Sequence, residues 1–355
     1  MHDRNAKGSG SASTAFRVTS IALVLIGIAG AFAYTAGWLT PARLTPSKIV
    51  DSLAPAGGPA AGFRRNHAKG ICFTGSFDAN GAGAVFSRAA MLAAGSYPVT
   101  GRFNLAGPNP GMPDGTGRVR GLSLRIQSPD GQEWRTAMIN PPVFPIATPQ
   151  DFYAFQVASA KKDDSDAIKQ FAASHPTLAA FGAWARSAPF TESYAEDRFN
   201  SLNSFLFTNA QGEDRAVRWT FVPEAAMVVI PPDELKKRDP DFLSMEITER
   251  VDRGPQKWTL VLTAAKPGDP TADPTQAWPE DRQKVAAGTL VVKQIEAEAD
   301  GPCRDLNFDP TVLPAGMRTS DDPFPAARSA AYAVSYDRRS DEANDVSRNP
   351  IQGKP

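Results

Sequence analysis

The chain has 355 residues, 42% of them hydrophobic, and its 38 basic side chains balance 38 acidic ones. This neutral, mixed composition offers no basic excess for nucleic acid, and the length suits one large domain or two small ones. Three histidines and two cysteines exclude a multi-histidine metal centre, a cysteine-built zinc site and an iron–sulfur cluster.

Arg4, Lys7 and Arg17 outweigh Asp3, and no charged residue follows between Val18 and Ala42. That run has about the length a helix needs to cross a hydrocarbon core of roughly 30 Å. The basic flank predicts a cytoplasmic tail over 1–17 and a transmembrane helix over 18–42, with Trp38 at the far interface. Ala31-Phe32-Ala33 is a small-x-small triplet, so a cleaved signal peptide is the alternative. Both readings put the body outside the cytoplasm: periplasmic if the anchor is kept, secreted if it is cut.

Residues 43–62 read as a short helix and a linker, with Thr45 as N-cap and Pro46 in the first helical position. Apolar runs of strand length then alternate with Gly, Pro and Asp at 70–77, 97–104, 119–127 and 133–139. Residues 150–190 carry Phe152, Phe155, Ile168, Phe171, Leu178, Phe181 and Trp184 at mostly helical spacing. Further strands are expected at 202–208, 216–222, 244–251, 257–264 and 288–295. A last helix runs from Pro323 to about Arg339, with Asp321 and Asp322 as cap candidates, and 341–355 read as a disordered tail. Residues 63–340 are thus one α+β domain with a barrel-like antiparallel core. Cys72 and Cys303 are either two buried thiols or one disulfide, the latter open to an exported domain.

Two segments carry chemistry. His67 stands in Arg64-Arg65-Asn66-His67-Ala68-Lys69-Gly70, among cations at the start of a strand. Arg328 and Tyr332 are four apart on the last helix and share a face, and Ala327, Ala330 and Ala331 would let a flat group lie close to it. Each alone has a bland reading, a structural histidine and a surface Arg–Tyr pair.

Together they resemble the distal-histidine and proximal-tyrosine motifs of the haem catalases. The segments Pro98-Val99-Thr100-Gly101-Arg102-Phe103, Arg118-Val119-Arg120-Gly121-Leu122 and Asn140-Pro141-Pro142-Val143-Phe144 lie between them in the family's order. So do Asp273-Pro274-Thr275-Gln276-Ala277-Trp278-Pro279, Gly288-Thr289-Leu290-Val291-Val292 and Phe308-Asp309-Pro310. The similarity covers roughly residues 44 to 340 and is greatest to the compact catalase-related peroxidases. It implies a catalase-like antiparallel β-barrel with surrounding helices, and haem b as cofactor.

Carried over residue by residue, the resemblance makes His67 the distal acid–base and Tyr332 the axial iron ligand, with Tyr336 one turn on as the fallback. A tyrosine ligates as its phenolate, an anion that both iron and the Arg328 guanidinium favour. Arg64, Arg102 and Arg339 fall at the positions that contact the propionates, and Phe144 and Phe152 would exclude water on the distal side. Asn140 would orient the peroxide. This sequence departs from the pattern in three places: Asn104 stands where a serine meets the histidine, Ile139-Asn140 replaces two asparagines, and Asn66 replaces an apolar residue.

The implied activity is reduction of hydrogen peroxide by an organic reductant, with weak dismutation. A haem isomerase or dehydratase acting on lipid hydroperoxides is the second reading, and a tethered, non-enzymatic haem-binding module the third.

Overall fold

The computed structural model describes residues 9–35, 38–40, 43–161 and 165–348. The chain divides after Ile49 into two compact units. The first contains helix α1 (Ser9–Thr35), whose stretch Ala15–Thr35 is long and apolar enough to cross a membrane. A signal sequence passes the same test. The helix starts earlier than the expected span, so residues 9–17 are its first turns; residues 1–8, 36, 37, 41 and 42 lie outside the described residues. Thr45 caps α2 (Pro46–Asp51) as expected, accepting from Lys48 N at 3.3 Å.

The second unit is built on a barrel. Strands β1 (Gly70–Ala79), β2 (Gly95–Leu105), β3 (Arg120–Gln127) and β4 (Glu133–Ile139) form a meander. Helices α3 (Pro149–Ala160), α4 (Ser165–Ser174) and α5 (Thr177–Ser187) follow. Next come β5 (Phe199–Asn200), β6 (Phe205–Thr208), β7 (Asp214–Pro223), α6 (Pro232–Leu235) and α7 (Phe242–Arg253). Strands β8 (Gln256–Ala264), β9 (Lys284–Glu296) and β10 (Met317–Thr319) precede the last helix, α8 (Phe324–Arg348). The antiparallel order β7-β5-β4-β3-β2-β1-β9-β8 returns from β8 to β7, which closes eight strands; β6 and β10 continue outward from β7.

Alternation decides which side chains fill the barrel. Phe73, Phe77, Phe103, Leu105, Leu122, Leu124, Trp134 and Met138 belong to one buried cluster with Trp219 and Trp258. Burying each such side chain is worth about 1.5–3 kcal/mol. Their neighbours in sequence, among them Cys72, Arg102, Asn104, Ser123 and Ala137, therefore face outward. That outer wall carries the site.

Three expectations need correction. Residues 244–251 are helical, within α7, because Leu243, Ile247 and Val251 recur every four residues and all three are buried. The region 202–208 is a strand only from Phe205, since Leu202 has a positive φ of 55° that breaks the extended run. The last helix continues beyond Arg339 to Arg348 because Glu342 is anchored: it pairs with the buried Arg65 and accepts from Gly62 N at 2.9 Å. Residues 349–355 of the expected tail lie outside the described residues.

Cys72 and Cys303 form a disulfide across a sequence separation of 231. In the chain-entropy account, closing so long a loop removes about 5 kcal/mol of freedom from the unfolded chain.

Candidate functional site

The site has two walls, the segment 62–69 with the outer face of β1 and β2, and helix α8. They are fastened to each other: Arg65 N donates to Ser335 Oγ at 3.3 Å, and Arg65 pairs with Glu342.

His67 sits just before β1 in the left-handed region, with φ of 54°. Asn66 holds that turn, its Oδ1 accepting from His67 N at 2.9 Å and from Gly107 N at 2.8 Å. This is a local reason for the asparagine that departs from the family pattern. Asn104 Oδ1 lies 2.7 Å from His67 Nδ1, a contact that assigns the proton to Nδ1 and leaves the Nε2 lone pair bare. Gly121 makes room for this amide, since a Cβ there would stand 2.2 Å from Asn104 Oδ1. Burial is the main force on the imidazole pKa; Asn104 opposes it, but the charges of Arg102, Arg328 and Arg64 add to it, and the value falls to about 4. The side chain is therefore neutral at physiological pH.

Arg102 is two residues before Asn104 on the same face of β2 and is fully buried. Its Nη1 and Nη2 donate to the carbonyls of His67 and Ala68 at 2.9 and 3.1 Å. Its Nε and Nη2 also grip both oxygens of Glu298, at 2.8 and 2.7 Å. Arg64 pairs with the same carboxylate. Burial pushes the Glu298 carboxyl up, but Arg102 and Arg64 outweigh it and hold the group below its usual range. Gly70 is needed beside this cluster, where a Cβ would fall 2.4 Å from the Arg102 guanidinium carbon.

On α8, Arg328 Nη2 and Nε donate to the Tyr332 hydroxyl at 3.1 and 3.3 Å. Its Nη2 also reaches Ala137 O on β4 at 2.8 Å, and its Nη1 reaches Asn203 Oδ1 at 2.7 Å. Asn203 Nδ2 in turn donates to Asp322 Oδ2 at 3.0 Å. The other oxygen of Asp322 accepts from Phe324 N at 2.9 Å, the cap expected of this residue. Burial raises the Asp322 carboxyl pKa. Arg339, two turns beyond Tyr332, lies over the Tyr336 ring at 4.8 Å and donates to Arg304 O at 2.8 Å.

The structure thus brings together His67, Arg64, Arg102, Arg328, Tyr332 and Arg339. Phe144 and Phe152 stack at 6.1 Å, and Phe144 meets Phe324 edge-on at 5.3 Å, which sets this pair beside the start of α8. Asn140 is differently employed. Its Oδ1 accepts from Arg120 N at 2.9 Å and its Nδ2 donates to Arg118 O at 3.3 Å, so the amide clips the entry to β3. Alternation along β4 gives the outer face, where Arg328 reaches Ala137 O, to Ile139 instead. The sequence does not single out Glu298 or Asn203.

Comparison with known proteins agrees with this geometry. The catalase family profile matches residues 40–349. The catalase-related peroxidase of Synechococcus elongatus is 36% identical over 301 residues, covering 83% of this chain and 89% of that protein. The catalase-related peroxidase of Mycolicibacterium paratuberculosis is 30% identical over 300 residues, covering 83% and 95%. Among solved structures, a fungal catalase superposes with a TM-score of 0.70 at 20% identity, over 79% of this chain and 60% of that one. The chain belongs to the catalase family. It spans 89% and 95% of the two catalase-related peroxidases, whereas it spans about 60% of that longer catalase.

The catalase family implies a haem cofactor, and the residues fit one. Two guanidiniums, those of Arg64 and Arg102, share the single Glu298 carboxylate, Arg339 reaches Asp305 at 3.9 Å, and burial together with the Arg102 charge pulls Arg64 down to about 9. That surplus positive charge suits two propionates. Ala331, on the same side of α8 as Arg328 and Tyr332, adds no bulk beside them.

Proposed function

We propose that the chain is a haem b peroxidase that reduces hydrogen peroxide with an organic electron donor and works outside the cytoplasm. The observation that carries this is the uncharged His67 imidazole, tied at Nδ1 by Asn104 and bare at Nε2. Haem, when bound, supplies the redox chemistry that splits the peroxide bond. Tyr332 would hold it from the α8 side, its oxygen accepting two hydrogen bonds from Arg328. Arg64, Arg102 and Arg339 would bind the propionates.

His67 Nε2 takes the proton from the near oxygen of hydrogen peroxide and returns it to the far oxygen, which leaves as water. An imidazolium would be useless for the first of these steps, so the depressed pKa is part of the mechanism. Phe144 and Phe152 keep bulk water from the cleft. Two electrons from the donor complete the turnover, one peroxide and one reduced donor giving two waters and the oxidised donor. The departures at Asn104 and Ile139 favour this route over dismutation, which we expect to be weak. The apolar α1 and its basic flank support a membrane tether with the barrel in the periplasm; removal of the segment would release it as a secreted protein.

The test is the absorption spectrum of the purified chain before and after hydrogen peroxide, with phenolic donors added. A high-spin ferric spectrum that changes with peroxide and is restored by the donor is expected. Protein that stays colourless when supplied with hemin would overturn the reading. Faster turnover of a fatty-acid hydroperoxide without a donor would replace it by the isomerase reading.

A further inference from the structure

The segment that follows β9 gathers the arginines of the site. Glu298 takes Arg64 and Arg102; the carbonyls of Cys303 and Leu306 take Arg64 Nη2 at 2.9 and 3.1 Å; the carbonyl of Arg304 takes Arg339 Nη1 at 2.8 Å. Guanidiniums from the entry segment, β2 and α8 therefore end on one stretch of ten residues, 297–306, which has no strand or helix of its own. Its packing is also separate from the barrel core: Cys303, Leu306 and Phe308 form a small buried cluster with Cys72.

The disulfide is the covalent link between this segment and the distal wall. Cys72 lies in β1, five residues after His67, on the outward face opposite Arg102 in the register with β2. Gly301 packs so closely on it that a Cβ would come within 2.8 Å of Cys72 Sγ. Both sulfurs are fully buried.

We propose that the Cys72–Cys303 disulfide is a positioning element for the cofactor: it clamps segment 297–306 so that Glu298 and the carbonyls present Arg64, Arg102 and Arg339 to the propionates. This rests on the haem reading above. Reduction by a dithiol breaks the S–S bond, delivers two electrons and two protons to the cysteines, and oxidises the dithiol to its disulfide. The segment then keeps only its hydrogen bonds, and the arginines lose their common frame.

The full chain in detergent is loaded with hemin, and transfer of haem to excess apomyoglobin is followed in the Soret band. Transfer from the Cys72→Ala/Cys303→Ala double variant is expected to be about tenfold faster than from the oxidised wild type, the weight of one charge-assisted hydrogen bond. Hemin dimethyl ester, which has no free propionates, should leave both proteins at the same rate. Equal rates for hemin, or an equal acceleration for hemin and its ester, would overturn the proposal. If the double variant does not fold, the same comparison on folded wild type with and without dithiothreitol decides. Failure of the oxidised wild type to take up hemin at all would be seen before any disulfide is touched, and would remove the cofactor reading along with this one.

Discussion

The two walls of the site handle charge in opposite ways. The wall of β1 and β2 buries an imidazole, backs it with the guanidiniums of Arg102 and Arg64, and so keeps it neutral. The wall of α8 sets a guanidinium on a tyrosine oxygen and secures that guanidinium through Asn203 to a buried carboxylate. One wall thereby offers an uncharged imidazole, and the other a tyrosine oxygen that accepts two hydrogen bonds from a guanidinium. The same cation serves both, because the Arg328 charge is felt at His67 while its N–H groups point at Tyr332. In the proposed function, acid–base work would fall to the loop held by amides and ligation to the helix whose Arg328 is secured through Asn203 to Asp322.

The sharpest way to break this division is Tyr332→Phe. Haem should bind weakly or with altered coordination, and peroxidase activity should fall by 100-fold or more (about 3 kcal/mol), with a changed ferric spectrum as the check. Tyr336→Phe should leave that spectrum as it is. His67→Ala tests the other wall. Haem should be retained with its α8-side ligand, while oxidation of the haem by peroxide, followed by stopped flow, slows by about 10²–10⁴-fold. Loss of haem from His67→Ala, or full activity in Tyr332→Phe, would mean that the roles of the walls are not separable.

How far this division could be read from sequence depended on chain distance. His67, Arg64, Arg328 and Tyr332 stand in short runs whose spacing alone puts them on one turn or one helical face. Arg102 and Asn104 are legible as alternate residues of a strand. Glu298 is not, because it lies 196 residues from Arg102 and 234 from Arg64. Only the pairing of β1 with β9, which sets Cys72 opposite Glu296, brings it there. Asn203 is hidden for the same reason, 125 residues from Arg328. The misread helix at 244–251 had a nearer cause. Met245 and Ile247 alternate with Glu246 and Thr248, which imitates a strand over four residues, and the four-residue spacing of Leu243, Ile247 and Val251 becomes decisive only over about two turns.

A smaller effect sharpens the relay. Asn203→Ala leaves Arg328 its contacts with Ala137 O and Tyr332 but removes the bridge to Asp322. The cost of one hydrogen bond predicts a drop of about tenfold or less in peroxide turnover, read from initial rates, with haem retained. A larger loss of haem than of rate would place Asn203 in the fold of α8 rather than in the relay.

The smallest expected effect is in the pH dependence, and its sign follows from the direction of one shift. With its pKa down at about 4, the folded His67 stays bare where an ordinary imidazole, at 6.5, would be charged. Peroxide turnover should then be nearly flat from pH 7 to pH 5, whereas an unshifted histidine would lose about 25-fold over that interval. Asn104→Ala should lower the rate without narrowing this range, since its hydrogen bond works to raise the pKa and its removal moves the acidic edge further down. Stability shifts in the matching direction. Between pH 6.5 and about 4 the unfolded chain takes up a proton that folded His67 refuses, so this residue's contribution falls as pH falls, by at most about 1.4 kcal/mol per unit. Buried carboxyls such as Asp322, whose pKa is raised, contribute with the opposite sign, so the quantity to measure is the difference in urea midpoints between wild type and His67→Gln at pH 5 and pH 7. If that difference does not change with pH, the imidazole is not held neutral by its surroundings, and the contrast between the two walls loses its electrostatic half.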